Sequence, residues 1–490
     1  MPRYDEFTSG SYQSQSPVTD AERTVNWYPE LSESKGAASQ QSLYPTPGYN
    51  LFCRFPSIGC RASFSMGTGG TSISGRTFEI YGGTLFEVFA DGTFIARGTV
   101  AVDHNPATIC SNGDGGFQLF ITSGTNGYNY DLLTNTLTQI ASLNGAATMG
   151  GQLYGYFVAF DATLNQIRIS NLFDGTTWDP TQFLARTIGA DPWTAMLVTP
   201  YGQIFLPGSQ TGEFLFNAGT FPFPFAPDPS GLIEEGIAAT FSVKQAGKSV
   251  TWLSTNKNGG YQVMRASGFT PQRISDHGLE DKLATFQNVS DFTGETYEDR
   301  GHSFFILNSA LNKFTACYDF KTNKWHERPL WIEETNSEDA AHAVFHCFAF
   351  GKHLMGDRTT GALYEMSNDF GTEVDGRVIR RVRRAPAVLS EQRRLFFPLF
   401  RVLFQTGLGT QTGQGALPRV MMRKSDDWGQ TWSNERTASI GRVGQYGLKV
   451  DFWNCGSGRG RVFEITYTDP TPARITDAFL PGLAESTEAA

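Results

Sequence analysis

Between residue 77 and about residue 370 a loose unit recurs, and recurrence at a fixed interval restricts a fold more than any local preference does. Its anchors are Leu85-Phe86-Glu87-Val88, Tyr128-Asn129-Tyr130, Ile167-Arg168-Ile169, Phe214-Leu215-Phe216, Tyr261-Gln262-Val263, Ala316-Cys317-Tyr318 and Leu363-Tyr364-Glu365-Met366. They stand roughly 40 to 55 residues apart, close to the repeat of four-stranded propeller blades. Between them lie Asp91-Gly92, Asn126-Gly127, Asp174-Gly175 and Asn258-Gly259, dipeptides that supply the positive φ of tight hairpin turns. The pattern predicts an all-β chain built on a β-propeller of about six to seven blades. Seven anchors do not by themselves fix seven blades, because a first or last strand can close the ring in another blade.

Composition points the same way. The chain has 53 Gly and 39 Phe, which suit many turns between short aromatic strands and suit long helices poorly. With 40% apolar and 18% charged residues it is neither disordered nor fibrous, since disorder needs more charge and less hydrophobicity. Its 490 residues exceed the roughly 250–300 that one core can organise, so a second unit is expected. Residues 1–369 hold 22 Lys and Arg against 36 Asp and Glu, a net of −14, whereas residues 370–475 hold 17 against 9, a net of +8. The second unit is therefore basic and begins near Gly376, with strands expected at 399–404, 419–423, 446–452 and 461–467 in a small β-sandwich. The resulting division is an extended N-terminal arm over 1–50, the propeller over 51–372, the basic β domain over 373–480 and a flexible tail over 481–490.

The whole-chain net charge of −9 argues against a duplex-DNA binder, which needs a basic footprint. Cysteines 53, 60, 110, 317, 347 and 455 form no C-x-x-C pair and read as buried thiols made in a reducing cytosol. The first residues lack an apolar signal core and no stretch reaches the ~18 apolar residues of a membrane span, so synthesis in the cytoplasm without a membrane anchor is expected.

Ser425-Asp426-Asp427-Trp428-Gly429-Gln430-Thr431-Trp432 fits the S-x-D-x-G-x-T-W pattern of an Asp box. In it Ser425, Asp427 and Thr431 organise a hairpin turn, Gly429 takes the left-handed position and Trp432 packs beneath the loop. Asp boxes occur in sialidases, and Arg54-Phe55-Pro56 faintly echoes their Arg-Ile-Pro motif. The alternative reading is thus a sialidase-like or glycan-binding propeller acting on host surface sugars. It requires three arginines with a tyrosine and an acid near the propeller axis, for which Arg54, Arg265 and Arg328 are the candidates. His342 and His346 are about 13 Å apart along a strand, too far to share one ion. Gly67-Thr68-Gly69-Gly70 and Gly456-Ser457-Gly458-Arg459-Gly460 read as turns rather than phosphate loops. Glu234-Glu235 and Glu333-Glu334 read as loop charge. No catalytic, cofactor-binding or metal-binding residue emerges. The strongest charge cluster is Arg377, Arg380, Arg381, Arg383, Arg384, Arg393 and Arg394. Arginine favours bidentate links to carboxylate or phosphate, so these seven are candidates for partner or phosphate contact, with Arg380, Arg384 and Arg394 foremost; a solvated strand face is the plainer alternative.

Several short motifs, in order, resemble the packaged-DNA stabilisation proteins, or tail hub and nozzle proteins, of short-tailed bacteriophages. They are Asn26-Trp27-Tyr28-Pro29-Glu30, Tyr44-Pro45-Thr46-Pro47-Gly48, residues 268–275 (GFTPQRIS), Gly356-Asp357 with Gly361-Ala362-Leu363-Tyr364, Asp375-Gly376-Arg377 with Arg380, the Asp-box hairpin, Gly441-Arg442-Val443-Gly444-Gln445-Tyr446 and Thr468-Asp469-Pro470. Residues 180–235, with Phe-Pro-Phe-Pro-Phe at 221–225, match nothing in that family. The resemblance implies a non-enzymatic virion protein of the tail, a homohexameric ring below the portal and adaptor. Such a ring would touch the tail adaptor, tail fibre, spike or needle proteins, and would pass double-stranded DNA without sequence-specific binding. No cofactor is implied. An acidic lumen would keep phosphates from sticking while the basic domain pairs with neighbours or the adaptor.

Overall fold

Each of the seven anchors is the third strand of a four-stranded antiparallel blade: Thr84–Val88, Asn126–Asp131, Gln166–Ile169, Gly212–Asn217, Tyr261–Ser267, Phe314–Asp319 and Ala362–Ser367. The computed structural model describes residues 3–485 apart from 5, 35, 38, 68–72, 187, 256 and 392. Blades 1 to 6 span residues 60–99, 108–139, 149–185, 197–227, 244–273 and 293–327, and blade 7 spans 343–367. Blade 7 takes its outermost strand from Gly48–Arg54, antiparallel to Ala362–Ser367, so the beginning and end of the repeat close the ring through one ladder. Strands such as Thr77–Tyr81, Ile204–Pro207 and Phe314–Asp319 are buried along their whole length. Neighbouring blades cover both their faces, so even polar residues on them, such as Glu79 and Thr315, are buried.

Two of the expected Gly turns differ. Gly92 and Gly259 have φ of 82° and 78°, as a hairpin turn needs. Asn126-Gly127 instead opens a strand, and the turn before it is made by Gly124 and Thr125 at φ 57° and 62°. Gly175 is needed for close approach, because a Cβ there would lie 2.6 Å from Asn129 Oδ1 and 2.7 Å from Phe157. Of the Gly67–Gly70 turn, residues 68–70 lie outside the described residues.

The second unit is a β-sandwich. One sheet holds Arg381–Arg384, Gly460–Tyr467, Arg419–Ser425 and Arg436–Ser439; the other holds Trp27–Leu31, Gln41–Pro45, Ile475–Phe479, Leu395–Phe404 and Val450–Gly458. Residues 446–449, expected in a strand, are loop. The stretch read as an extended arm contributes both strands and core: Tyr4, Phe7, Trp27 and Leu43 are buried among Phe397, Phe400, Phe452 and Phe463, and Trp27 Nε1 donates to the Ala473 carbonyl at 2.7 Å. Arg23–Val25 runs parallel to the last strand of blade 6 and antiparallel to Arg381–Arg384. One ten-stranded sheet therefore runs from the propeller into the sandwich. At the far end Ala484–Glu485 pairs with Leu395 and Phe396; residues 486–490 of the expected tail lie outside the described residues.

Candidate functional site

The arginine cluster gathers where that shared sheet crosses from one domain to the other. On its outward face Arg23, Arg384, Glu464 and Arg423 stand opposite one another in cross-strand register. Like charges placed directly opposite are destabilising, and here carboxylates interleave with the guanidinium groups. Arg23 bonds Glu327 at 3.1 and 2.7 Å and Glu338 at 3.2 and 2.6 Å, while Arg384 and Arg423 bond the two oxygens of Glu464 at 2.9 and 2.6 Å. Burial works against the charge of Glu327, but Arg23 and Lys282 outweigh it and hold the carboxyl at about 2. Arg380 reaches Glu338 at 3.4 Å and lies over the Trp331 ring at 4.3 Å. The Trp432 ring is flanked by Arg384 at 4.9 Å and Arg423 at 4.6 Å, a cation–π arrangement. The carboxylates expected on a partner thus belong, for Arg380 and Arg384, to the same chain.

Arg383 points inward and is fully buried. It donates to the carbonyls of Glu6, Phe7 and Gly10 at 2.8, 2.6 and 2.7 Å, to Thr24 Oγ1 at 2.6 Å and to Glu22. A rigid fork with five donors suits such a cage, and the result fastens the N-terminal segment onto the sandwich. Arg381 is also buried, and its Nε and Nη1 have no partner among the described residues. Burial lowers its pKa to about 10 against Tyr467 and Glu373. Burial likewise pushes Glu373 up to about 7, although the Val374 amide, Arg381 and Arg328 pull the other way. Neither Arg381 nor Arg383 reaches a surface that a partner could touch, which corrects their assignment as contact residues: the sheet places them on its inward side. Arg377 pairs with exposed Glu334 at 3.0 Å. Arg393 pairs with Glu391 and Glu485, and Arg394 donates to Ser457 Oγ at 3.0 Å; both are exposed.

The Asp-box residues close a hairpin loop. Ser425 Oγ donates to Asp427 at 2.6 Å and accepts from the Gly429 amide at 2.8 Å. Asp427 accepts from the Thr431 amide at 2.8 Å and from its hydroxyl, and these bonds hold its carboxyl down at about 2. Gly429 has φ 91°. Sequence reasoning missed a related device that recurs through the propeller: the side chains of Asp91, Asp161, Asp174, Asp179, Asp228 and Asp357 each accept the amide two residues on. The signal was present as repeated Asp-x-Thr or Asp-x-Ser.

The axis of the propeller holds a cavity of about 230 Å³ lined by all seven inner strands, among them Ser63, Thr108, Met149, Leu197, Lys244, Glu295 and His346. Phe241 and Phe345 separate it from a wider mouth of about 530 Å³ carrying Arg61, Asp103 and Arg358. The three-arginine constellation is not assembled there. Arg54 pairs with Asp375 on the outer strand of blade 7, Arg265 lies over Phe320 at 4.7 Å, and Arg328 is buried against Tyr297 and His326. His346 bonds His353 at 3.0 Å, and no group of three metal-ligating side chains occurs among the described residues.

A family model described as the bacteriophage P22 Gp10 β-propeller matches residues 8–371, and one described as the bacteriophage P22 Gp10 β-sandwich matches residues 382–480. No curated protein matches the chain. Among solved structures, a streptogramin B lyase is similar at 8% identity and a TM-score of 0.43 over 66% of this chain and 98% of its own. The virginiamycin B lyase from Staphylococcus aureus is similar at 9% and 0.39 over 63% and 95%. The N-terminal domain of Nup159 is similar at 10% and 0.40 over 70% and 98%.

Proposed function

The chain belongs to the bacteriophage P22 Gp10 family of tail-stabilising proteins, and from that premise we propose that it forms the hub or nozzle ring of a phage tail. It is a structural protein of the tail and a virion component. In the proposed role six copies sit below the portal and adaptor, retain the packaged genome and form the channel through which it leaves. The ring carries fibre, spike or needle proteins on its far side, and DNA passes without sequence readout or covalent chemistry.

The observation that carries this reading is the single sheet shared by propeller and sandwich, laced by Arg23, Arg384, Arg423 and their acids. It fixes the angle between the two domains, as a ring subunit under the pressure of packaged DNA requires. The narrow axial cavity supports a DNA path between subunits and not through one propeller. No helix among the described residues is long and apolar enough to cross a membrane.

The test is negative-stain imaging of the purified protein, alone and mixed with the portal and adaptor proteins of the same virus. Rings with a central hole, or density added below the adaptor, are expected. Monomers persisting in both samples would overturn the ring reading, and glycoside hydrolysis would be the next assay.

A further inference from the structure

Two exposed apolar surfaces, opposite in charge, lie on different domains of this molecule. The first is on blades 2 to 4. Tyr154 and Phe173 hold φ of 52° and 57°, where bulky residues are outliers and mark constrained sites. The Phe173 ring lies on Gly115 and Gly155, and the Tyr154 hydroxyl lies over Gly202; a Cβ on any of the three would collide with it. Each glycine comes from the turn between the first two strands of its blade, so the aromatic rings of blade 3 rest on bare backbone of three consecutive blades. Even so, Tyr154, Leu172, Phe173 and Tyr201 are between 44% and 54% exposed. The loops around them, 112–117, 154–155, 170–182 and 199–203, contain Asp114, Asp174 and Asp179 and neither Lys nor Arg.

The second surface is the tip of the sandwich, made by loops 405–418 and 440–449. They are tied by the Gly444 amide to the Gly407 carbonyl at 3.1 Å and the Ile440 amide to the Pro418 carbonyl at 3.0 Å. Tyr446 is 75% exposed, with Leu417 and Val443 about half exposed. Arg419, Arg442 and Lys449 stand beside them; the two loops contain no Asp or Glu. None of these three cations has a carboxylate at ion-pair distance among the described residues.

We propose that the tip of one copy docks on the aromatic patch of the next. The shared sheet joins the sandwich to blade 6, and the sandwich also packs on the segment after blade 7, where Gly371 meets Pro470, so the patch on blades 2 to 4 belongs to the other side of the ring of blades. A contact between two different surfaces of identical chains propagates, and closes into a ring when the rotation allows. Apolar area supplies the attraction, while the acidic rim and cationic tip set register and exclude tip-to-tip pairing. This inference rests on the ring reading and names the surfaces that build the ring.

The test uses the full chain. A tip variant, Arg442→Glu with Lys449→Glu, and a patch variant, Asp179→Lys with Tyr201→Lys, are followed by native mass spectrometry at concentrations where the parent forms rings. Each alone is expected to associate at least tenfold more weakly. Mixed in equal amounts, they should form pairs and nothing larger, since one intact tip meets one intact patch. All four positions are exposed, and unchanged melting confirms folding; Tyr446→Ser is a second, uncharged tip variant. Rings persisting in both variants and in Tyr446→Ser overturn this contact and leave the ring reading intact. A parent that stays monomeric even with portal and adaptor overturns both.

Discussion

Propeller and sandwich carry opposite charge, and they use it differently. Many carboxylates of the propeller are tied to turns: Asp91, Asp131, Asp161, Asp174, Asp179, Asp228 and Asp357 accept backbone amides one turn on. Much of the acidity follows from the number of hairpins. In the sandwich the arginines form a cross-strand ladder and a buried clamp, and the cations left over are those of its rim and tip. Net charge alone therefore does not locate what either domain offers a partner: turn carboxylates such as Asp174 and Asp179 keep their charge at the surface, whereas the ladder arginines are neutralised within the chain.

The severest way to break the sandwich side is Arg383→Ala. It would leave the carboxylate of Glu22 and three carbonyls buried without their donor, and losing one member of a buried ion pair costs about 3–5 kcal/mol. Denaturant unfolding should show that loss, and the N-terminal segment should become the first site of proteolysis. Stability unchanged within error would mean that the clamp is not formed.

The propeller side breaks through pH. Glu79 lies at the seam between blades 1 and 7, accepting from Ser63 at 2.6 Å and from the thiols of Cys60 and Cys347. Burial pushes it up to about 8, against those hydrogen bonds. Between its ordinary 4.5 and about 8 the folded chain keeps a proton that the unfolded chain has lost. Stability should therefore fall as pH rises through that window, by up to about 1.4 kcal/mol per pH unit, and level off above it. Glu373, pushed up to about 7, acts in the same direction. In Glu79→Gln the decline should be shallower, as melting temperatures from pH 5 to 9 would show; an identical slope would remove Glu79 as its source.

Sequence and structure meet most closely in the propeller. All seven anchors are third strands, whose aromatic and aliphatic residues pack between neighbouring blades and so recur at the blade interval, interleaved with polar residues such as Glu87, Asn129 and Arg168. The outer strands were less legible: 183–185 and 225–227 have one neighbour and short ladders. The arm could not be read as part of a sandwich because Arg23–Val25 pairs with strands more than 300 residues away, and the Trp27–Leu31/Gln41–Pro45 hairpin joins its sheet only through distant Ile475–Phe479. Local patterning carries no trace of that pairing. The arginine cluster was visible as charge, yet its direction was not. Arg383 and Arg384 are adjacent, and the two-residue period sends one inward to Glu22 and the other outward to Glu464.

Arg384→Ala sharpens the contrast at intermediate cost. Arg423 would still neutralise Glu464, so the loss should be about 1–2 kcal/mol in denaturant unfolding. Ring formation should persist where the fold does. Normal stability with lost assembly would return Arg384 to the partner contacts first expected of the cluster.

The smallest effect is expected where acidity is a by-product of turns. Asn accepts an amide through Oδ1 as Asp does, so Asp91→Asn, Asp174→Asn, Asp179→Asn and Asp228→Asn together should preserve each turn while raising the net charge by four. Melting should shift by only a few degrees. If the propeller's acidity serves turns alone, this variant should elute from a DNA column at the same salt as the parent. Elution at clearly higher salt would show that the same carboxylates also repel phosphate, as a channel that must not hold its DNA requires.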